Sequence, residues 1–152
     1  MSTSNIERFD QLTGRIFADL YEAFPMPRTL SDRSYSSIIE PDQPATDGKQ
    51  SSDPGQFFTA TITWLVNSGY ITTFQARLNG RFTYDGCVLT AKGLEVLKSI
   101  PSSVGGKSFG QSLQEAAKAG SKEALKKITG EVLSFGLGVM TKLVMTHVTA
   151  TP

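Results

Sequence analysis

Apolar residues recur every three or four positions in three parts of the chain, the spacing of one face of an α-helix. These parts are residues 5–24, 56–69 and 108–148. Pro25 ends the first, because proline cannot continue the backbone hydrogen bonding of a helix. The pattern therefore predicts three helical segments. A break is expected near Gly130 in the third, since glycine weakens a helix interior.

The segment between the second and third helical patterns is typical of a β-hairpin. Residues 70–77 and 81–89 are rich in β-branched and aromatic residues, and Asn79 and Gly80 lie between them. An Asn-Gly pair favours the tight two-residue turn, which needs positive φ at both central positions. The Asp85-Gly86 pair predicts a bulge or a second bend in the later strand.

Two shorter helices are also predicted. Thr90 can cap a helix over residues 90–100, in which Leu94, Leu97 and Ile100 are expected to be buried. Residues 31–39 begin with Ser31-Asp32, a capping signal for a short helix.

Residues 41–55 contain no hydrophobic residue larger than alanine. Such a segment cannot offset its ordering entropy by burial, so we expect a flexible loop. The predicted organisation is a domain over residues 5–100, a linker over 101–107 and a helical extension over 108–148.

Two motifs in this organisation resemble bacterial winged-helix regulators: Trp64-Leu65-Val66-Asn67-Ser68-Gly69-Tyr70-Ile71 and Leu89-Thr90-Ala91-Lys92-Gly93-Leu94. The resemblance covers about residues 56–100. It implies that the helix at 56–69 is a recognition helix, that the hairpin is the wing, and that the second motif starts the last helix of the domain. The expected fold class is mainly α with a small β-hairpin wing, a winged-helix domain followed by a C-terminal helical extension.

The resemblance leads us to expect a small regulator that binds double-stranded DNA. Base reading needs polar side chains on the groove-facing side of the recognition helix. That side carries Gln56, Thr59, Thr63 and Asn67. Phosphates would be held by Arg77 and Arg81, which flank the turn of the wing.

The distribution of charge favours a second hypothesis, a protein–protein interaction module of the adaptor or immunity type without DNA binding. The net charge is only +1, and residues 56–69 contain no Lys or Arg. Residues 1–55 carry 5 basic against 9 acidic residues, which would repel a phosphate backbone. Both hypotheses stay open at this point.

The C-terminal extension carries a long apolar stripe that would be an exposed hydrophobic patch if it stayed in water. Its members are Leu113, Ala117, Gly120, Ala124, Ile128, Val132, Phe135, Val139 and Leu143. We expect a homo-oligomer formed through this stripe, with docking on the chain's own domain as the weaker option and membrane-surface association as a third. A membrane span is not expected, because residues 132–148 number 17 and include Lys142, whereas a span needs ~20 apolar residues.

The inventory of reactive residues predicts no catalysis, no metal and no cofactor. His147 is the only histidine and Cys87 the only cysteine, so a multi-histidine metal site and an internal disulfide are excluded. Gly105-Gly106-Lys107 lacks the earlier glycine of a phosphate-binding loop, since Pro101 stands there. The first residues lack a basic segment followed by an apolar run, so we expect a cytoplasmic protein.

Overall fold

A computed structural model describes residues 4–40, 53–77, 82–101 and 106–149, giving only the backbone at residue 77 and at 139–149. The fold is mainly helical with a small antiparallel sheet. In chain order its elements are α1 Asn5–Ala23, β1 Arg28–Ser31, a 3₁₀ turn Asp32–Tyr35, α2 Ser36–Ile39, α3 Pro54–Asn67, β2 Ile71–Thr72, β3 Gln75–Arg77, β4 Thr83–Leu89, α4 Ala91–Lys98, α5 Phe109–Lys118 and α6 Lys122–Thr149.

Helix α1 is the central element of the fold. Its predicted stripe is confirmed at Leu12, Ile16 and Leu20, which are buried. The four consecutive residues 11–14 are also buried, so at this level the helix is covered on every side. The prediction fails at Ile6, which is 71% exposed, because the first turn is held by its polar neighbours instead.

Those polar neighbours fix both the start of α1 and its contacts. Ser4 and Glu7 form a reciprocal capping box, with both hydrogen bonds at 3.2 Å. Glu7 also accepts a 2.7 Å hydrogen bond from Lys126 on α6. The buried Arg8 donates to the carbonyl oxygen of Ile39 at the end of α2. The first turn therefore connects the N-terminal part of the chain to its last helix.

The sheet is organised around β4. Strand β1 pairs with one edge of β4, and β2 and β3 pair with the other, all antiparallel. Arg28 lies opposite Cys87 and Leu30 opposite Tyr84, so β4 carries one extra residue there. Gly86 has φ of 68° at this point, which confirms the predicted bulge.

The observed strands differ from the predicted ones at two points, and part of the predicted hairpin and loop lies outside the described residues. The predicted strand at 70–77 is two short strands, β2 and β3, and β1 was not predicted at all. The Asn79-Gly80 turn lies outside the described residues, as do Arg81 and residues 41–52 of the predicted loop.

Helix α3 has the predicted apolar stripe, and α4 begins at the predicted cap. The stripe of α3 is buried at Phe58, Ile62 and Leu65. Thr90 caps α4 by accepting a 3.0 Å hydrogen bond from the backbone N–H of Gly93. Ile100 is 63% exposed, contrary to its predicted burial, because α4 ends at Lys98 and later residues no longer follow its face.

The C-terminal segment bends at a different glycine from the one predicted. Gly120 has φ of 67° and separates α5 from α6, whereas Gly130 lies inside the uninterrupted α6. The prediction of a break at Gly130 was wrong because packing outweighs a helix penalty of about 1 kcal/mol. Helix α6 packs against α1, α5 and α4. In the described part of the chain, no helix has the length and apolarity needed to cross a membrane.

Glycine allows α1 and α6 to approach closely. A Cβ on Gly14 would overlap the hydroxyl of Thr129, which is fully buried, and would lie 3.2 Å from the carbonyl oxygen of Leu125. A Cβ on Gly130 of α6 would instead lie in open space, with no atom within 4 Å. The two helical glycines therefore differ in packing but share the same intrinsic helix penalty.

Gly14→Ala is expected to lower the free energy of unfolding by about 1–3 kcal/mol, because the added methyl group overpacks the α1–α6 contact. Gly130→Ala, the matched control, should raise it by about 0.5–1 kcal/mol, since it gains helix propensity without a clash. Urea unfolding followed by circular dichroism measures both. Stabilisation by Gly14→Ala would contradict the close α1–α6 contact.

Candidate functional site

The exposed face of α3 holds three of the four polar residues predicted to face a DNA groove. Gln56, Thr63 and Asn67 are exposed. Thr59 is half-buried, and its Oγ1 is shielded from solvent with no hydrogen-bond partner among the described residues. Its hydroxyl therefore does not reach the open surface that the other three present.

The hairpin strands lie beside the N-terminal end of α3. The ring of Phe82, just before β4, occupies the space where a Cβ on Gly55 would stand. This close approach needs glycine at the second residue of α3. Arg77 lies in β3 opposite Thr83, at the hairpin end nearest Phe82. The structure thus brings the turn end of the hairpin against the first turn of α3, which also carries the exposed Gln56.

Helix α3 itself contributes no positive charge to this side of the molecule. Helix α3 contains no Lys or Arg. Arg8 lies next to it, with its guanidinium carbon 4.4 Å from the centre of the Phe57 ring. Because Arg8 is buried and donates to the carbonyl of Ile39, it is committed within the fold. The α3 face is therefore polar and close to neutral.

The C-terminal end of α3 is locked by the start of α4. The Thr90 hydroxyl donates to the carbonyl oxygens of Gly69 and Tyr70, and a Cβ on Gly93 would overlap the Tyr70 carbonyl. Lys92 donates a 2.8 Å hydrogen bond to the carbonyl oxygen of Ser68. These contacts give a physical role to the residues of the second motif, which hold the turn between α3 and β2.

Sequence reasoning missed a cavity of about 370 Å³ at this end of α3. Helix α6 closes it, because a Cβ on Gly136 would overlap the phenol of Tyr70. Its lining residues are Trp64, Asn67, Ser68, Tyr70, Lys92, Leu133, Ser134 and Leu137. The one sequence feature that pointed to this cavity was Gly136, and helix propensity alone identifies it only as a residue that destabilises the helix.

Trp64 and Tyr70 form an aromatic wall of this cavity. Their rings are nearly parallel, with centroids 6.1 Å apart, and Phe9 meets Trp64 edge-on at 5.2 Å. Trp64 packs within the fold on one side only, since 43% of it is exposed. Burial lowers the pKa of the neighbouring Lys92, whose Nζ lies 4.2 Å from the centre of the Tyr70 ring.

The stripe predicted to mediate oligomerisation is divided between core and surface. Leu113 and Val132 are fully buried in the chain's own core. This part of the stripe therefore docks on the chain's own domain, which was the weaker expectation from the sequence. The reason is that α1 has a second side for these helices to cover. Ala117, Ala124 and Ile128 are half-buried, Gly120 and Phe135 are exposed, and the side chains of Val139 and Leu143 lie outside the described set.

The other reactive side chains that the structure describes are buried or paired within the fold. Cys87 is fully buried in β4, and burial raises the pKa of its thiol to about 11. Lys107 pairs with Glu115 at 2.9 Å, and Ser108 caps α5. The described residues contain no group of three or more His, Cys, Asp or Glu side chains placed to hold a metal ion. The side chain of His147 lies outside this set.

Comparisons with protein-family models, curated proteins and solved structures found no match to this chain. The arrangement of the described residues therefore carries the functional argument. It offers a polar, neutral helix face beside a hairpin and, at the other end of the same helix, a cavity with aromatic and cationic walls.

We expect the thiol of Cys87 to be inert in the folded protein. With a pKa of about 11 it forms roughly 200-fold less thiolate at pH 8 than an unperturbed cysteine. The aromatic disulfide DTNB should therefore react far more slowly with native protein than with urea-unfolded protein. A Cys87→Ala/Lys118→Cys variant places a thiol on the exposed surface of α5 and should react at once. Fast reaction of the native wild type would contradict the buried position of Cys87.

Proposed function

We propose that the chain is a non-enzymatic winged-helix protein, a small cytoplasmic regulator that binds double-stranded DNA through α3 and the β3–β4 hairpin. The order of α3, hairpin strands and α4 is that of the second half of a winged helix. The observation that carries the proposal is the contact of Phe82, at the turn end of the β3–β4 hairpin, with Gly55 in the first turn of α3, the helix that exposes Gln56 and Thr63. Such an arrangement lets a helix enter the major groove while a hairpin follows the backbone.

The proposed DNA binding is modest, because phosphate contacts supply most of the affinity of such complexes. Arg77 and Arg81 are the hairpin cations assigned to phosphates, and α3 adds none. Two phosphate contacts give a slope of about −1.8 for log affinity against log salt. Affinity should then fall only ~12-fold per chain between 50 and 200 mM salt.

The DNA proposal predicts that an Arg77→Ala/Arg81→Ala variant loses most of its binding to mixed-sequence duplex at ~50 mM salt. Fluorescence anisotropy of a labelled duplex measures this loss. The matched control is Lys118→Ala/Lys127→Ala, which removes the same charge from exposed positions of α5 and α6 and should bind like the wild type. No wild-type binding at low salt, or equal binding by both double variants, would contradict the proposal.

A second candidate function, protein–protein interaction without DNA, is favoured by the neutral α3 face and the exposed side of Trp64. Aromatic residues are enriched and charged residues depleted at the centre of protein interfaces. The two functions differ in one measurable respect: the salt-dependent duplex binding just described is expected for a regulator and absent for an interaction module.

We propose further that the regulator acts as a homo-oligomer through the part of the stripe that its own core leaves uncovered. Leu113 and Val132 are excluded from this contact, because they are buried within the chain. The exposed Phe135 is available to a partner copy, and the proposed contact continues through Val139 and Leu143, which follow it along α6 at helical spacing.

Substitution of Val139 and Leu143 by lysine should convert the oligomer to a monomer, because two charges in an apolar contact are costly to bury. Light scattering after size-exclusion chromatography measures the mass, and circular dichroism checks that the helices persist. Truncation after Pro101 would be uninformative, since it removes the core residues Leu113 and Val132. A monomeric wild type would contradict the oligomer.

A further inference from the structure

The cavity at the end of α3 combines apolar walls with one cation. Its apolar lining consists of Trp64 and Tyr70 and, from α6, Leu133 and Leu137. Its volume of about 370 Å³ lies in the range of sites for small organic molecules. Leu137 is 70% exposed and Trp64 is 43% exposed, so the fold leaves apolar surface in water at this site.

The cation is Lys92, and its ammonium has N–H groups available for a further hydrogen bond. One N–H goes to the carbonyl oxygen of Ser68 at 2.8 Å, and an ammonium has three. None of the described residues lining the cavity is acidic, so no carboxylate in the wall neutralises the charge. Asn67, Ser68 and Ser134 add polar groups that can hydrogen-bond to an anion.

We propose that this cavity binds a small amphipathic carboxylate, with its apolar body between Trp64 and Leu137 and its carboxylate at Lys92. The apolar body covers the surface that the fold leaves exposed. The carboxylate supplies the charge that the walls lack, and charge-assisted hydrogen bonds to an ammonium are among the strongest available. A cationic ligand is disfavoured by Lys92, and a fully polar ligand would leave the aromatic wall uncovered.

The close contact at Gly136 explains why the site exists in this chain. Because glycine lets α6 reach the phenol of Tyr70, Leu133 and Leu137 of α6 line the same cavity as the two aromatic side chains. The site is thus built from two parts of the chain, one at residues 64–92 and one at 133–137. The proposed ligand follows from the cavity lining alone, although Asn67 and Trp64 of that lining also belong to the surfaces assigned above to DNA and to a protein partner.

The only tryptophan of the chain lies in the cavity wall, so its fluorescence reports occupancy directly. Decanoate, kept below its micelle-forming concentration, is the probe, and decanamide is its uncharged counterpart. Decanoate should give a saturable change in emission and bind at least ~10-fold more tightly than decanamide, a factor that corresponds to one charge-assisted contact.

Two substitutions separate the charge contribution from the apolar one. Lys92→Gln should weaken decanoate at least ~10-fold and leave decanamide unchanged, which also shows that the cavity is intact. Leu137→Ser should weaken both probes, because it removes apolar wall from a site where the leucine is mostly exposed and contributes little to folding. Lys98→Gln, on the exposed side of the same helix α4, is the matched control and should change neither.

Four results would overturn the proposal. One is the absence of a saturable emission change with decanoate. The second is equal affinity for decanoate and decanamide, which would make the site apolar only. The third is wild-type affinity of the Lys92→Gln variant for decanoate. Loss of decanamide binding in Lys92→Gln would likewise count against it, because Lys92 would then act on the shape of the cavity rather than on the charge of the ligand.

Discussion

The burial of α1 on every side is the constraint on which the rest of the fold depends. An ordinary surface helix needs one covering layer, whereas residues 11–14 of α1 are buried consecutively. The N-terminal elements α2, α3 and β4 contact α1, and α5 and α6 supply the remaining cover. The C-terminal helices therefore complete the core that the N-terminal elements begin, and the polar residues within it, such as Thr13 and Thr129, are enclosed by this double cover.

Local signals in the sequence were sufficient for the elements that they directly control. The caps at Ser31 and Thr90 and the bulge at Gly86 each depend on residues only a few positions apart, and all are present. What the sequence could not show depends on distant contacts. Strand β1 forms only by pairing with β4, which lies more than 50 residues later in the chain. Gly130 stays helical because the packing of α6 outweighs the penalty of glycine in a helix.

The candidate site likewise has a part that local sequence predicts and a part that depends on distant contacts. Helical periodicity placed Gln56, Thr63 and Asn67 on an exposed face, since a single element determines that face. The surroundings of the two ends of α3 come from other elements. Phe82 packs against Gly55 at one end, and α6 encloses the other through Gly136. A pattern of apolar and polar positions carries no information about either neighbour, which is why the cavity was missed.

The contact between Glu7 and Lys126 joins residues 119 positions apart, and this separation has a consequence for protein synthesis. At ~5–20 residues per second, a ribosome adds Lys126 roughly 6–24 s after Glu7. Helix α1 is therefore translated long before the helices that cover its second side. During that interval only the N-terminal elements are available to cover α1, so the nascent chain reaches its final packing only after α6 has been translated.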